Sequence, residues 1–82
     1  MYIKQLQELA KIIIGAQKPA ADGEYVLYAA EGQLCIDRDK PRTANNTPIC
    51  TINAEHINKG LPHALWWSIC SALWRYKQKG LL

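Results

Sequence analysis

Two histidines and three cysteines are the residues of this 82-residue chain best suited to act as nucleophile, general base or metal ligand. Cys70 and His63 both fall in the apolar stretch from Pro62 to Lys79, so a thiol activated by an imidazole is the first arrangement to consider. On a helix, seven residues are two turns, ~10 Å along the axis, with Trp67 partly between the two groups. That is too far for a direct hydrogen bond, and no carboxylate is placed by the sequence to orient either His63 or His56. Cys70 therefore reads as a buried thiol. No catalytic residue is assigned, and the chain is expected not to be an enzyme. Cys35 and Cys50 are expected on neighbouring strands, where they could approach each other. Without paired ligands at close spacing, neither a metal nor a cofactor is expected. The glycines at 15, 23, 32, 60 and 80 are dispersed, which gives no phosphate-cradling loop and no inferred small-molecule substrate. Glu24, Asp37 and Asp39 lie near a hairpin, but Asp37-Arg38-Asp39-Lys40 alternates in sign and reads as a self-neutralising, solvated loop.

The basic residues offer a different chemistry. Lys4, Lys11 and Lys18 recur every seven positions and are expected along one side of a first helix, while Arg38, Lys40 and Arg42 fall in a loop. Such a layout could meet phosphates, so a nucleic-acid-binding module using these six residues is the alternative reading of function. A net charge of +3 is well below the basicity of a dedicated nucleic-acid binder, and a lysine-decorated solvated helix face accounts for the same residues. Arg75, Lys77 and Lys79 need no ligand either, because cations in the last turns of a helix meet the negative end of its dipole.

The most informative pattern is apolar. From Pro62 to about Lys79, at ~100° per residue, Leu65, Ile69, Ala72, Leu73 and Tyr76 share one face, the expected core stripe. His63, Trp67, Cys70 and Trp74 form a second row with steps of four, three and four, the spacing of a packing seam, and Trp66 stands between the rows. Together they span roughly 220° of the helix, against the ~100° typical of a surface helix. A small domain has no core large enough to cover both rows. Trp67 and Trp74 could cover an edge of the sheet or pack under the 37–47 loop; the reading taken is that the second row is a protein interface, used twice about a two-fold axis in a homodimer or once by another protein.

The elements that must carry these residues follow from periodicity and punctuation. Tyr2, Leu6, Leu9, Ala10 and Ile13 recur at helical spacing, predicting a first helix that ends between Gly15 and Lys18. Pro19-Ala-Ala-Asp-Gly23 is a loop. Tyr25 to Ala30 and Gln33 to Asp37 read as two strands joined at Glu31-Gly32, with Leu34 and Ile36 on one face and Gln33, Cys35 and Asp37 on the other. Residues 37–47 lack apolar periodicity and predict a long loop. Pro48 to Ile52 restores a strand, Asn53 caps a short helix that stops at Gly60, and Pro62 suits the first turn of the last helix. The expected fold is a small α+β domain of order α-β-β-β-(short α)-α, a three-stranded antiparallel sheet with the helices packed on one face. The order of one helix, three strands and a helix resembles that of double-stranded-RNA-binding domains, which span successive minor grooves. Those domains carry a lysine cluster at the start of the final helix, whereas this chain has Leu61-Pro62-His63-Ala64-Leu65-Trp66-Trp67 there. The resemblance therefore implies an element order and no phosphate clamp.

Length and composition bound the rest. Eighty-two residues predict a single domain, 1–82, and a chain this short buries only about 60% of its unfolded surface. With 49% hydrophobic and 21% charged residues it belongs with folded proteins. An odd number of cysteines and a polar, amphipathic start argue for free thiols in a reducing compartment, expected to be the cytoplasm, and no membrane segment is expected. The Met1 start and the lack of a linker read as a whole small gene product. The function expected from all of this is a small non-catalytic protein-binding protein, an inhibitor or adaptor, of the kind phages and mobile elements encode to block host machinery.

Overall fold

The computed structural model describes residues 2–38 and 47–82. Its elements in chain order are α1 (Tyr2–Gly15), β1 (Glu24–Ala30), β2 (Gln33–Arg38), β3 (Thr47–Asn53), α2 (Ala54–Lys59) and α3 (His63–Gln78). The α+β architecture and element order are those the sequence predicts. β1 alternates in burial, with Tyr25, Leu27 and Ala29 buried and Val26, Tyr28 and Ala30 half-buried, as expected of a sheet covered on one face only. The Glu31-Gly32 turn has positive φ at both residues, 53° and 76°, the twist that closes a two-residue hairpin. It sets the β1–β2 register, pairing Ala29 with Leu34 and Leu27 with Ile36, so Leu34 and Ile36 join the covered face.

The sheet is not a meander. β1 is central, with β2 and β3 antiparallel to it on opposite edges. The register between β1 and β3 slips by one residue, so that Leu27 faces Cys50 and Tyr28 faces Pro48, with Ile49 as the extra residue. Pro48 thus sits on an edge strand, where a missing N–H is tolerated. This order corrects the expectation for Cys35 and Cys50. Cys35 pairs with Tyr28 on the open face, Cys50 pairs with Leu27 on the covered face, and β1 lies between them. Two strand spacings are ~10 Å, too far for the thiols to meet.

α1 lies over β2 and α3 over β3, and the two helices also touch each other. Leu6, Ala10 and Ile14 of α1 and Ile69, Ala72 and Leu73 of α3 are buried, with Ile3, Ile13, Leu65 and Trp66 partly buried against that core. The expected contribution of the Tyr2 side chain lies outside what is described. Leu9, expected in the core, is instead exposed, and Ile14 takes that role. The cause is helical geometry: Ile12, Ile13 and Ile14 are ~100° apart, so one of the three must face outward, and centring the buried stripe on Leu6, Ala10 and Ile14 turns Leu9 and Ile12 away. Tyr76, expected in the core stripe, is half-buried and donates from its hydroxyl to the Pro48 carbonyl at 2.9 Å, tying α3 to β3.

α2 is a six-residue helix held at both ends. Its N-cap is Asn53, whose Oδ1 accepts from the His56 N–H at 3.0 Å, and its C-cap is Gly60. Asn58 clamps the segment before β1, accepting from the Ala20 N–H at 2.6 Å and donating to the Ala20 carbonyl at 3.1 Å. Asn53→Ala removes the cap acceptor and is expected to cost about 1 kcal/mol in urea unfolding. An unchanged midpoint would mean that α2 is held by Ile57 packing alone. α3 begins one residue later than predicted. Pro62 is its N-cap, with extended backbone, and the Pro62 carbonyl accepts from the Trp66 N–H at 3.0 Å.

Candidate functional site

The packing of α3 fixes what it leaves outside. With Ile69 and Leu73 fully buried, Trp67 and Trp74 fall roughly 130° round the helix from them. Trp67 keeps 67% of its surface exposed and Trp74 55%, which is unusual for residues this large and apolar. Between these side chains and α1 runs a groove of about 410 Å³, lined by Ile3 and Gln7 from α1 and by Trp67, Cys70, Ser71, Trp74 and Arg75 from α3. Three members of the row read from the sequence therefore meet at one site, Trp67, Cys70 and Trp74. His63 is exposed in the first turn of α3 and does not line the groove.

The α1 wall of the groove, Ile3 and Gln7, was not readable from α3, because it depends on how the two helices pack. A second apolar surface on α1, around Leu9 and Ile12, was also missed. It is flanked by Lys4, Gln5 and Glu8 and belongs to one helix alone. The Ile12-Ile13-Ile14 triplet is the signal that could have found it.

Trp66, between the two rows, is half-buried. The Lys11 ammonium lies 5.6 Å from the centroid of its ring and 3.9 Å from Glu8 Oε2. Lys11 is thus already engaged on its own surface. Lys18 lies beyond the end of α1, which stops at Gly15, so the three lysines do not form one helical row. Arg38 belongs to β2 instead of the loop, and its guanidinium donates to the Asp22 carbonyl. Lys40 and Arg42, with Asp39 and most of the predicted 37–47 loop, lie outside the described residues. Lys11 and Lys18 line one shallow pocket beside His56 and Leu61, whereas Lys4 flanks the Leu9 and Ile12 surface and Arg38 lies in β2, so two of the four described candidates share a site.

The titratable groups carry little sign of activation. Burial pushes the Cys50 thiol from its ordinary 9.0 up to about 11. Burial also pushes the Cys70 thiol up, partly offset by the charge of Lys11 and a hydrogen bond from Gln7. Both shifts run opposite to those of a reactive thiolate. On the open face of the sheet the Tyr28 hydroxyl donates to Asp37 Oδ2 at 2.5 Å, and this bond to a carboxylate pushes the phenol up to about 12. Asp37 is a strand residue of β2 and not part of a loop. His56 Nδ1 is buried with no hydrogen-bond partner among the described residues, beside Lys18, Gly60 and Leu61. No group of three or more His, Cys, Asp and Glu side chains suited to a metal ion occurs among the described residues, and no described helix is long and apolar enough to cross a membrane.

Comparison of the chain with protein-family models, curated proteins and solved structures finds no match.

Proposed function

We propose that this chain is a small, non-catalytic protein-binding domain that captures another protein on the Trp67–Trp74 seam of α3. One observation carries the reading: two tryptophans, one heptad apart on a helix that buries Ile69, Ala72 and Leu73 on its other side, stand largely exposed along an apolar groove. Aromatic side chains present 150–250 Å² each, so at these exposures the pair offers on the order of 300 Å². At ~25 cal/mol per Å² that is ~7 kcal/mol before the cost of association. A stable interface needs about 800 Å² per partner, so the tryptophans act as its central anchors, with the groove walls and rim supplying the remainder. An inhibitor or adaptor, such as a phage or mobile element uses to block host machinery, is the class of protein this surface suits. Three free, partly buried cysteines support a reducing compartment, the cytoplasm.

The experiment is photo-crosslinking in the native cell, with a photoreactive phenylalanine analogue replacing either Trp67 or the exposed Thr51 on the open sheet face. A discrete protein adduct from position 67 and none from position 51 is expected. No adduct from 67, or the same adducts from both positions, overturns the reading.

A further inference from the structure

Resting on the seam as a protein-binding site, we infer that its occupant is an acidic amphipathic helix of a different protein, and not a second copy of this chain. The argument is one of charge and shape. α1 and α3, the two helices that form the groove, carry Lys4, Lys11, Arg75 and Lys77 against a single carboxylate, Glu8. The acidic and basic residues of the remaining chain balance, so the entire net charge of +3 resides on these two helices. Glu8 lies 3.9 Å from Lys11 and is already paired there. α3 has no acidic residue at all, and Arg75 lines the groove itself.

A second copy docked through the same face would set Arg75 against its own image, between helices of net positive charge. No carboxylate beyond Glu8 is available on either helix to answer Arg75. An isologous pair therefore gains apolar contact but no electrostatic complementarity, whereas an acidic partner gains both and is steered to the site. The form of the partner follows from the groove. It runs between two helices, and Trp67 and Trp74 stand two turns apart, ~10.5 Å along the axis. That spacing accepts apolar side chains at i, i+3 and i+7 of a third helix laid along the channel, with an acidic residue of the partner meeting Arg75, the cation that lines it. Nucleic acid is acidic too, but the groove walls are Ile3, Cys70 and the two indoles with the neutral Gln7 and Ser71, and its one lining cation is Arg75. Backbone phosphates call for several cations along their path, and this groove offers one.

The test titrates two synthetic helical peptides into the full chain. Both carry leucine at i, i+3 and i+7; one has glutamate and the other lysine at the remaining positions. Binding is read from tryptophan emission. The glutamate peptide is expected to bind saturably with a blue shift, to weaken about tenfold between low and high salt, and to lose at least about tenfold in affinity with Trp67→Ala. Arg75→Glu is expected to abolish the preference for the glutamate peptide. Equal binding of both peptides, a preference unchanged by Arg75→Glu, or no binding of the glutamate peptide overturns the acidic helix. In each case a Trp67 crosslink to a protein leaves the wider reading standing. Sedimentation of the chain as a dimer whose groove is closed to both peptides overturns it in favour of a second copy. Displacement of the glutamate peptide by a single-stranded oligonucleotide at equal concentration overturns it in favour of nucleic acid. If the peptides fail and position 67 gives no adduct, both readings fall.

Discussion

Ile69→Ala is expected to lower the free energy of unfolding by ~2–5 kcal/mol, and Leu73→Ala by a comparable amount. Both side chains are fully buried, and with Leu27, Ile52 and Ile57 they are the largest groups that the core encloses completely. Each truncation removes methyl groups from the core that α3 shares with β3 and α1, where a helix held by Tyr76 on Pro48 cannot collapse into the space. A domain of this size loses ~4–8 °C of melting temperature per kcal/mol, so melting should fall by roughly 10 °C or more. Leu65→Ala, on the same face but half-buried, should cost visibly less. Thermal and urea unfolding of the three variants checks the order. Equal losses for Ile69 and Leu65 would mean that α3 rotates further into the sheet than its buried residues indicate.

The contrast between Ile69 and Trp67 was legible in the sequence because a helix periodicity assigns every residue of α3 an angle. Once Leu65, Ile69, Ala72 and Leu73 are taken as the core, the Trp67, Cys70, Trp74 row has to lie elsewhere. The hairpin was legible for a similar reason: a two-residue turn fixes a register, and the register fixes which of Leu34 and Cys35 faces inward. Strand order was not, since alternation tells which face a residue takes and not which strand lies beside it. Cys35 and Cys50 were therefore expected as neighbours, although β1 separates them. In α1 the run Ile12-Ile13-Ile14 offers apolar groups to three directions at once, so the choice between Leu9 and Ile14 for the core is made by the sheet and α3, not by the helix. Contacts between polar groups far apart in sequence left no trace in any local pattern. Asn58 reaching back to Ala20 and Tyr76 reaching Pro48 are examples. The α1 wall of the groove, Ile3 and Gln7, is of the same kind.

Trp67→Glu and Trp74→Glu are the variants on which the proposed interface stands. A glutamate at either position is solvated in the free protein, because the side chain it replaces is already largely exposed, so melting should stay within about 1 kcal/mol of the parent. The same glutamate in a closed interface is a desolvated charge in place of an aromatic anchor. Loss of an anchor costs ~2–4 kcal/mol of binding, and the uncompensated charge adds to it, so partner affinity should drop by a hundredfold or more. Position 67 is the more revealing of the two. Trp67 is the more exposed, so its replacement disturbs the free fold least. Circular dichroism melting read beside titration with the crosslinked partner separates the outcomes. Binding lost with cooperative unfolding retained is what an anchor gives. Binding and fold lost together would place the tryptophans in the core, and binding retained would move the interface to the exposed Leu9 and Ile12 surface of α1.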